Sequence, residues 1–256
     1  MSPLATSWAL TERLDPAHYG ALVAALRGQR SLHLPGAPGR FAGLFDVARL
    51  RAVLAAIDAS PRPRQSSYGA VVRDPLGDGL THTEALVPAV AGEPDPIDAV
   101  LAAGQTICAT HIAPHDGALA AALAEIAASL ACPGDLRFNA YLSPAGAQTP
   151  WHTDVRISTS IQLTGRKRWR FQRRSAAVFP PSNAQLDRWG DVHWMNPLAA
   201  AGEPLPPPDP EMCETATLGP GDMITVPAGA WHEVVTEEDA LALNLSIRPA
   251  PMTALA

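Results

Sequence analysis

The segment TPWHTD, residues 149–154, places a histidine and an aspartate two positions apart. In an extended strand, side chains at i and i+2 point to the same face, so His152 and Asp154 can direct an imidazole and a carboxylate at one point. A third ligand must come from elsewhere, and His232, at the start of a predicted strand, is the best candidate. Two histidines and one carboxylate leave three positions of an octahedral iron open, which suits a metal that binds a chelating cosubstrate and dioxygen.

The order of elements around these residues strengthens the hypothesis. An H-x-D motif alone is common by chance, and a lone histidine in a strand is usually a hydrogen-bonded core or surface residue. Here the motif precedes two predicted strands that turn at Gly165, then a Pro-Gly-Asp turn, an apolar strand and a second Pro/Gly turn before His232. We therefore predict that His152, Asp154 and His232 form a catalytic metal site.

The basic cluster that contains Lys167 has two interpretations. Most charge runs form a solvated surface, and this one lies at the end of a predicted hairpin. Alternation in the strand, however, puts Lys167 on the same face as Trp169 and Phe171. A lysine on an apolar face is expensive to bury unless an anion meets it, and a dicarboxylate cosubstrate would supply that anion. The predicted cosubstrate contacts are Lys167 for the distal carboxylate, hydroxyls of Thr149 and Tyr141, and Asn244 and Ser246 from the opposite wall.

The elements that position these residues fall into two parts. Residues 1–135 are helix-rich, with predicted helices at 16–26, 47–57, 96–103 and 116–132 and short extended pieces at 31–34, 67–72 and 106–112. Residues 136–250 carry short predicted strands at 137–142, 157–163, 167–172, 223–226, 233–236 and 240–247, separated by turn residues. Such strands predict an antiparallel sandwich or barrel, and we expect residues 1–256 to form a single domain.

A proline-rich insertion at residues 173–217 interrupts the strands. It holds eight prolines and is too long for an ordinary strand connection. It is either a surface loop without a role or a lid over the site, because it lies between the two halves of the proposed metal centre. Trp151, Arg156, Asp191, His193 and Trp194 could line the substrate side, although Trp194 and His193 could equally pack the insertion itself.

Composition excludes several classes of partner. The net charge is −6 and the pI about 5.7, so no basic field would attract nucleic acid or an anionic membrane. No long apolar run or signal peptide is evident, and three scattered cysteines fit a reducing compartment. The sequence therefore predicts a cytoplasmic protein that binds neither nucleic acid nor membrane, and it leaves the oligomeric state open.

Three stretches together resemble a known family. NAYLSPAGAQTPWHTD, IQLTGRKRWRF and LGPGDMITVPAGAWHEVV, between Asn139 and Val235, are similar to the JmjC/cupin-like 2-oxoglutarate oxygenases of the ribosomal-oxygenase and asparaginyl-hydroxylase type. The resemblance implies a double-stranded β-helix, mostly β with flanking helices, and iron ligands at His152, Asp154 and His232. It also implies 2-oxoglutarate binding by Lys167 and Thr149. The chain departs from some members at Ser158, where they carry an asparagine.

The resemblance implies an iron(II)- and 2-oxoglutarate-dependent dioxygenase that uses O2 to hydroxylate a C–H bond. It favours a side chain of a protein or peptide as substrate. A free amino acid or natural-product intermediate is the first alternative. A cupin that uses a metal without 2-oxoglutarate is a second, and a non-catalytic ligand-binding cupin is a third.

Overall fold

The computed structural model describes residues 7–59, 67–73, 80–86, 95–130, 134–196, 198 and 204–249. Within these ranges the α-helices are α1 (Leu10–Arg13), α2 (Pro16–Arg27), α3 (Val47–Asp58), α4 (Pro96–Ala102) and α5 (Gly117–Leu130). The four predicted helices are thus confirmed as α2 to α5, with ends that differ by one or two residues; the end predicted for the last at 131–132 lies outside the described residues. No described helix is long and apolar enough to cross a membrane.

Aspartates cap the start of three of the helices. The side chain of Asp15 accepts hydrogen bonds from two amides of the first turn of α2. Asp46 does the same for the Arg49 amide of α3, and Asp95 for the Ile97 amide of α4. These amides have no partner within their helices, so the caps fix where each helix starts.

Fourteen strands form two antiparallel sheets within the described residues. The first seven are β1 (Leu32–Leu34), β2 (Ser67–Arg73), β3 (Thr81–Ala85), β4 (Thr106–Thr110), β5 (Gly134–Ser143), β6 (Gln148–Thr153) and β7 (Ile157–Thr164). The others are β8 (Lys167–Gln172), β9 (Ala184–Leu186), β10 (Val192–Trp194), β11 (Cys213–Leu218), β12 (Met223–Val226), β13 (His232–Thr236) and β14 (Ala240–Pro249).

The larger sheet has the order β1-β12-β7-β14-β5-β4-β2-β3, and the smaller has the order β10-β9-β6-β13-β8-β11. Strands β5 to β8 alternate between the two sheets, and so do β11 to β14, as in the double-stranded β-helix that the family resemblance implies. Gly165 joins β7 in one sheet to β8 in the other with a φ of 65°. A side chain there would come within 2.1 Å of the Asp239 carbonyl oxygen, so this turn requires glycine.

The insertion at 173–217 differs from the sequence-based expectation because it contains strands. β9 and β10 form a hairpin that adds to β6 of the smaller sheet. β11 begins inside the predicted insertion and pairs along its whole length with β8. The prolines end at Pro210, so nothing in 213–218 prevents this pairing. The part of the insertion that lies outside β9, β10 and β11 is therefore shorter than the predicted 173–217.

Two main cores hold the layers together. The larger lies between the helices and the larger sheet and includes Leu50 and Leu54 of α3, Ile126 of α5 and Phe138 of β5. A smaller core, formed by residues such as Phe171, lies between the two sheets. The helices thus support the back of the larger sheet, and the space between the sheets is left for the site.

Phe138 is fully buried in the larger core, and Phe179 of the insertion is 85% exposed. We expect Phe138→Ala to lower the free energy of unfolding by about 3–5 kcal/mol, because it leaves a cavity beneath the sheet. Phe179→Ala is the matched control and should change it by less than about 0.5 kcal/mol. Urea denaturation followed by circular dichroism measures both, and equal losses would contradict the assignment of the core.

Candidate metal centre

The pairing of β6 with β13 brings two of the three predicted ligands together. His152 and His232 stand directly opposite each other on these antiparallel strands, with ring centroids 4.0 Å apart. Asp154 follows the end of β6, and its Oδ2 lies 3.7 Å from Nε2 of His232. One ligand atom from each of the three residues lies within 4.8 Å of the others. The structure therefore brings the predicted triad into one cluster.

Hydrogen bonds to backbone carbonyls orient both imidazoles. Nδ1 of His152 is 2.8 Å from the Pro150 carbonyl oxygen, and Nδ1 of His232 is 3.0 Å from that of Ala230. A carbonyl can only accept, so each Nδ1 carries the proton and donates it. With the proton on Nδ1, the nitrogen of each ring that can bind a metal is Nε2.

Burial favours the neutral form of His232 and of Asp154, and for His232 this is the form that binds a metal. The pKa of His232 lies well below its usual value, because its ring is buried and His152 is adjacent. The ring is therefore neutral at pH 7. Burial raises the pKa of Asp154, an effect that His152 partly opposes. A divalent cation between these groups would relieve the cost of burying the carboxylate.

Lys167 extends from β8 into the same pocket. Its side chain is 5% exposed, and Nζ donates a 2.9 Å hydrogen bond to Oγ of Ser143. The ring of Tyr141 lies 5.9 Å from Nζ, and no acidic group of the described residues forms an ion pair with it. Burial lowers the pKa of Lys167 to about 8. A buried ammonium without a counter-ion makes this end of the pocket a binding site for an anion.

Three of the other predicted cosubstrate residues also line this pocket, namely Tyr141, Thr149 and Asn244. The pKa of Tyr141 is raised well above its usual value by Cys108 and by burial, so its hydroxyl stays protonated. Asn244 donates to Oγ of Ser158, which also lines the pocket. The structure does not place Ser246 in the wall, because its hydroxyl accepts a 2.6 Å hydrogen bond from Nε of Arg156.

Two residues with hydroxyl groups near Lys167, Ser143 and Thr106, were not predicted from the sequence. Oγ of Ser143 accepts from Lys167 and also from the Thr106 hydroxyl, 2.9 Å away, and both residues line the pocket. Ser143 lies two positions after Tyr141 on β5, so alternation along that strand could have identified it. Thr106 is on β4, and only the pairing of β4 with β5 brings it here.

The five residues predicted for the substrate side lie outside the metal pocket. Trp151 is covered by the guanidinium of Arg170, 5.1 Å from its ring centroid. Arg156 contacts Asp135, whose Oδ2 is 3.0 Å from its Nη1. The other three belong to the β9–β10 hairpin or its turn: Asp191, His193 and Trp194. Their roles in substrate binding stay predictions.

Within the hairpin, Asp187 explains the position of His193. Its carboxylate lies 2.8 Å from Nε2 of His193 and accepts from the Asp191 amide at 2.8 Å. Trp194 packs against a small apolar cluster that contains Trp231. The contacts of His193 and Trp194 therefore agree with the alternative that these residues pack the insertion.

Residues 116–255, more than half of the chain, match the family model of the JmjC domain. The chain belongs to the JmjC domain family. The human 2-oxoglutarate and iron-dependent oxygenase JMJD4 is 31% identical over an alignment of 126 residues, and the match covers 43% of this chain and 26% of the human protein. The Dictyostelium discoideum bifunctional lysine-specific demethylase and histidyl-hydroxylase NO66 is 30% identical over 113 residues, 43% of this chain and 18% of that protein. The chain thus spans about a quarter or less of the length of these relatives.

Solved structures agree with the JmjC assignment of the fold. The Escherichia coli ribosomal oxygenase YcfD in complex with cobalt and 2-oxoglutarate superposes with a TM-score of 0.54 and 17% identity. The match covers 88% of this chain and 50% of the E. coli chain. At 17% identity this similarity shows the fold alone. The superposed region includes most of the helix-rich N-terminal part.

His152→Ala should remove a metal ligand from this JmjC site. Loss of an outer-shell partner of a metal ligand typically weakens metal binding about 10- to 100-fold, so loss of the ligand itself should cost at least about 100-fold. Titration with Co(II), followed by visible absorption, measures the affinity. His193→Ala is the control, since this histidine pairs with Asp187 and not with the triad. Undiminished Co(II) binding in His152→Ala would rule out the ligand set.

Proposed function

We propose that this JmjC chain is an iron(II)- and 2-oxoglutarate-dependent oxygenase that hydroxylates a C–H bond in a side chain of a protein or peptide. The observation that carries the proposal is the coexistence, in one pocket, of a two-histidine, one-carboxylate cluster and the buried ammonium of Lys167, which forms no ion pair with any described residue. A metal site without a cosubstrate would not need a buried cation. An anion site without a metal would not need three converging ligands.

The triad fits iron(II) by the chemistry of its donors, because two neutral imidazoles and one carboxylate are the ligands of non-haem iron oxygenases. His152, Asp154 and His232 would hold the metal. When bound together, iron(II), 2-oxoglutarate and O2 supply the oxidation of the C–H bond, with succinate and CO2 as the products of the cosubstrate. The chain's own residues orient the reactants and keep water from the reacting atoms.

The wall around Lys167 suits a dicarboxylate such as 2-oxoglutarate. Lys167 would bind the distal carboxylate, and the hydroxyls of Tyr141 and Thr149 are donors along the same wall. The indole Nε1 of Trp169, whose ring also lines the pocket, is buried and has no hydrogen-bond partner in the described part of the chain. It is therefore a further donor for a bound oxygen atom.

Two observations support a protein or peptide as the substrate class. Two of the similar proteins have names that describe activities on proteins or ribosomes, the histidyl-hydroxylase and the ribosomal oxygenase. The exposed large hydrophobic side chains of the described residues all lie in the insertion, at Val178, Phe179, Trp189, Met195 and Leu198. Exposed apolar groups concentrated in one segment are typical of surfaces that bind other proteins.

An open groove lies between this apolar segment and the residue that follows Asp154. Val155, the residue after Asp154, lines the groove together with Pro181, Asn183 and Met195. A peptide lying here would pass beside the metal site while its apolar side chains contact the insertion. We infer that the insertion contributes to substrate binding, in preference to an inert surface loop.

We also infer that residues 1–256 act as a single domain. β1 and β4 of the N-terminal part are hydrogen-bonded into the larger sheet, next to β12 and β5 respectively. Removing them would expose the edges of that sheet. A cytoplasmic location, expected from the scattered cysteines, stays a prediction.

Lys167→Met should weaken 2-oxoglutarate binding to the Co(II)-loaded protein by at least about 30-fold. Removing one partner of a buried, hydrogen-bonded charge pair costs about 2 kcal/mol or more, which corresponds to that factor. Arg168→Met is the control, because Arg168 is on the opposite face of β8 and pairs with Glu237. Calorimetric titration with 2-oxoglutarate measures both, and unchanged affinity in Lys167→Met would refute the cosubstrate site.

The same lysine predicts how cosubstrate binding depends on pH. Its pKa is lowered to about 8, so the ammonium is present below this pH and is lost above it. The dissociation constant for 2-oxoglutarate should therefore rise by about tenfold per pH unit above 8 in the wild-type protein. The constant for Lys167→Met should lack this rise.

The substrate class is tested by succinate release from 2-oxoglutarate with peptide libraries and with free amino acids. We expect release to rise with peptides and the product peptide to gain the mass of one oxygen atom. Met195→Ser should raise KM for such a peptide several-fold, since it removes an apolar contact beside the groove. It should leave peptide-independent turnover unchanged.

Leu198→Ser is the comparison variant: Leu198 is exposed in the same insertion but is not among the groove residues, so this change should raise KM less than Met195→Ser does. Stimulation by free amino acids and not by peptides would contradict the peptide assignment. Absence of succinate under every condition, with Co(II) and 2-oxoglutarate still bound, would favour a non-catalytic binding protein.

A further inference from the structure

The two carboxylate oxygens of Asp154 have different surroundings. Oδ2 faces the metal cluster, 3.7 Å from Nε2 of His232. Oδ1 accepts a 3.1 Å hydrogen bond from Nδ2 of Asn183. One oxygen is thus directed at the other ligands, and the second is held by a neutral donor.

The amide of Asn183 has a fixed orientation. Its Oδ1 accepts a 2.8 Å hydrogen bond from the backbone N–H of Val155, so its Nδ2 must face Asp154. Its own carbonyl accepts from the Met195 amide at 2.8 Å, next to the β9–β10 hairpin. Asn183 therefore spans the gap between the insertion and the strand end that carries Asp154.

We propose that Asn183 is a positioning residue that keeps Asp154 a one-oxygen ligand of the metal. This inference rests on the proposed function, because it takes Asp154 as a ligand. A hydrogen bond to Oδ1 competes with metal binding by the same oxygen, so Oδ2 alone coordinates.

The number of oxygens that Asp154 contributes decides how many coordination positions of the metal stay open. Two histidines and one carboxylate oxygen leave three of six positions, which a chelating 2-oxoglutarate and one O2 fill. If both oxygens of Asp154 bound the metal, only two positions would remain. Asn183 thus preserves the position that O2 requires, and the insertion becomes part of the metal centre.

The test compares Asn183→Leu, which has a similar shape without the amide, with Asn196→Leu. Asn196 lines the same groove but its side chain accepts from the Leu198 amide and does not contact Asp154. We expect Asn183→Leu to raise the Co(II) dissociation constant by about 10- to 100-fold, the typical effect of losing a partner of a metal ligand. We also expect it to change the visible ligand-field spectrum of the Co(II)–2-oxoglutarate complex. Asn196→Leu should retain the wild-type affinity and spectrum.

The outcomes separate this proposal from the proposed function. Wild-type Co(II) affinity and spectrum in Asn183→Leu would overturn it, and so would an equal loss in Asn196→Leu. If leucine does not fit at this position, Asn183→Ala replaces Asn183→Leu in the same comparison. The melting temperature of the metal-free protein shows whether each variant folds. Asp154→Ala should abolish Co(II) binding. Retained binding there would refute the ligand assignment itself, whatever Asn183 does.

Discussion

The register between β6 and β13 is the constraint on which the site depends. It sets His152 opposite His232, and the chain then leaves β6 so that Asp154 joins them. A shift by one residue would turn one histidine to the other face of the sheet and separate the ligands. Both strands are interior to the smaller sheet, with neighbours on each side that hold this register.

The site also depends on burying charge without pairing it inside the protein. The ammonium of Lys167 donates to the Ser143 hydroxyl and lies near the Tyr141 ring, with no acidic ion-pair partner among the described residues, and Asp154 faces two imidazoles. Both arrangements disfavour the charged forms, as the shifted pKa values of the two residues show. A cation at the triad and an anion at Lys167 would relieve both costs, so the pocket is organised for a metal and a carboxylate together.

The helix-rich N-terminal part and the insertion contribute side chains to the site as well as supporting the fold. Thr106 reaches the Lys167 network from β4 of the helix-rich part. Asn183 reaches Asp154 from the insertion. Each contact is a side-chain hydrogen bond to a group that is already in place, so the flanking segments adjust the site that the strands define.

The sequence by itself determined four of the five described helices, most strands, the triad and the inward direction of Lys167. These follow from local rules: aspartate caps, alternation along strands and turn residues act over a few positions. Only the tertiary structure decided that Thr106 and Asn183 join the site, that Ser246 faces Arg156, and that β11 begins inside the predicted insertion. These features depend on which strands become neighbours and on contacts between distant segments. Such pairing is set by the packing of the whole chain and leaves no local periodic signal.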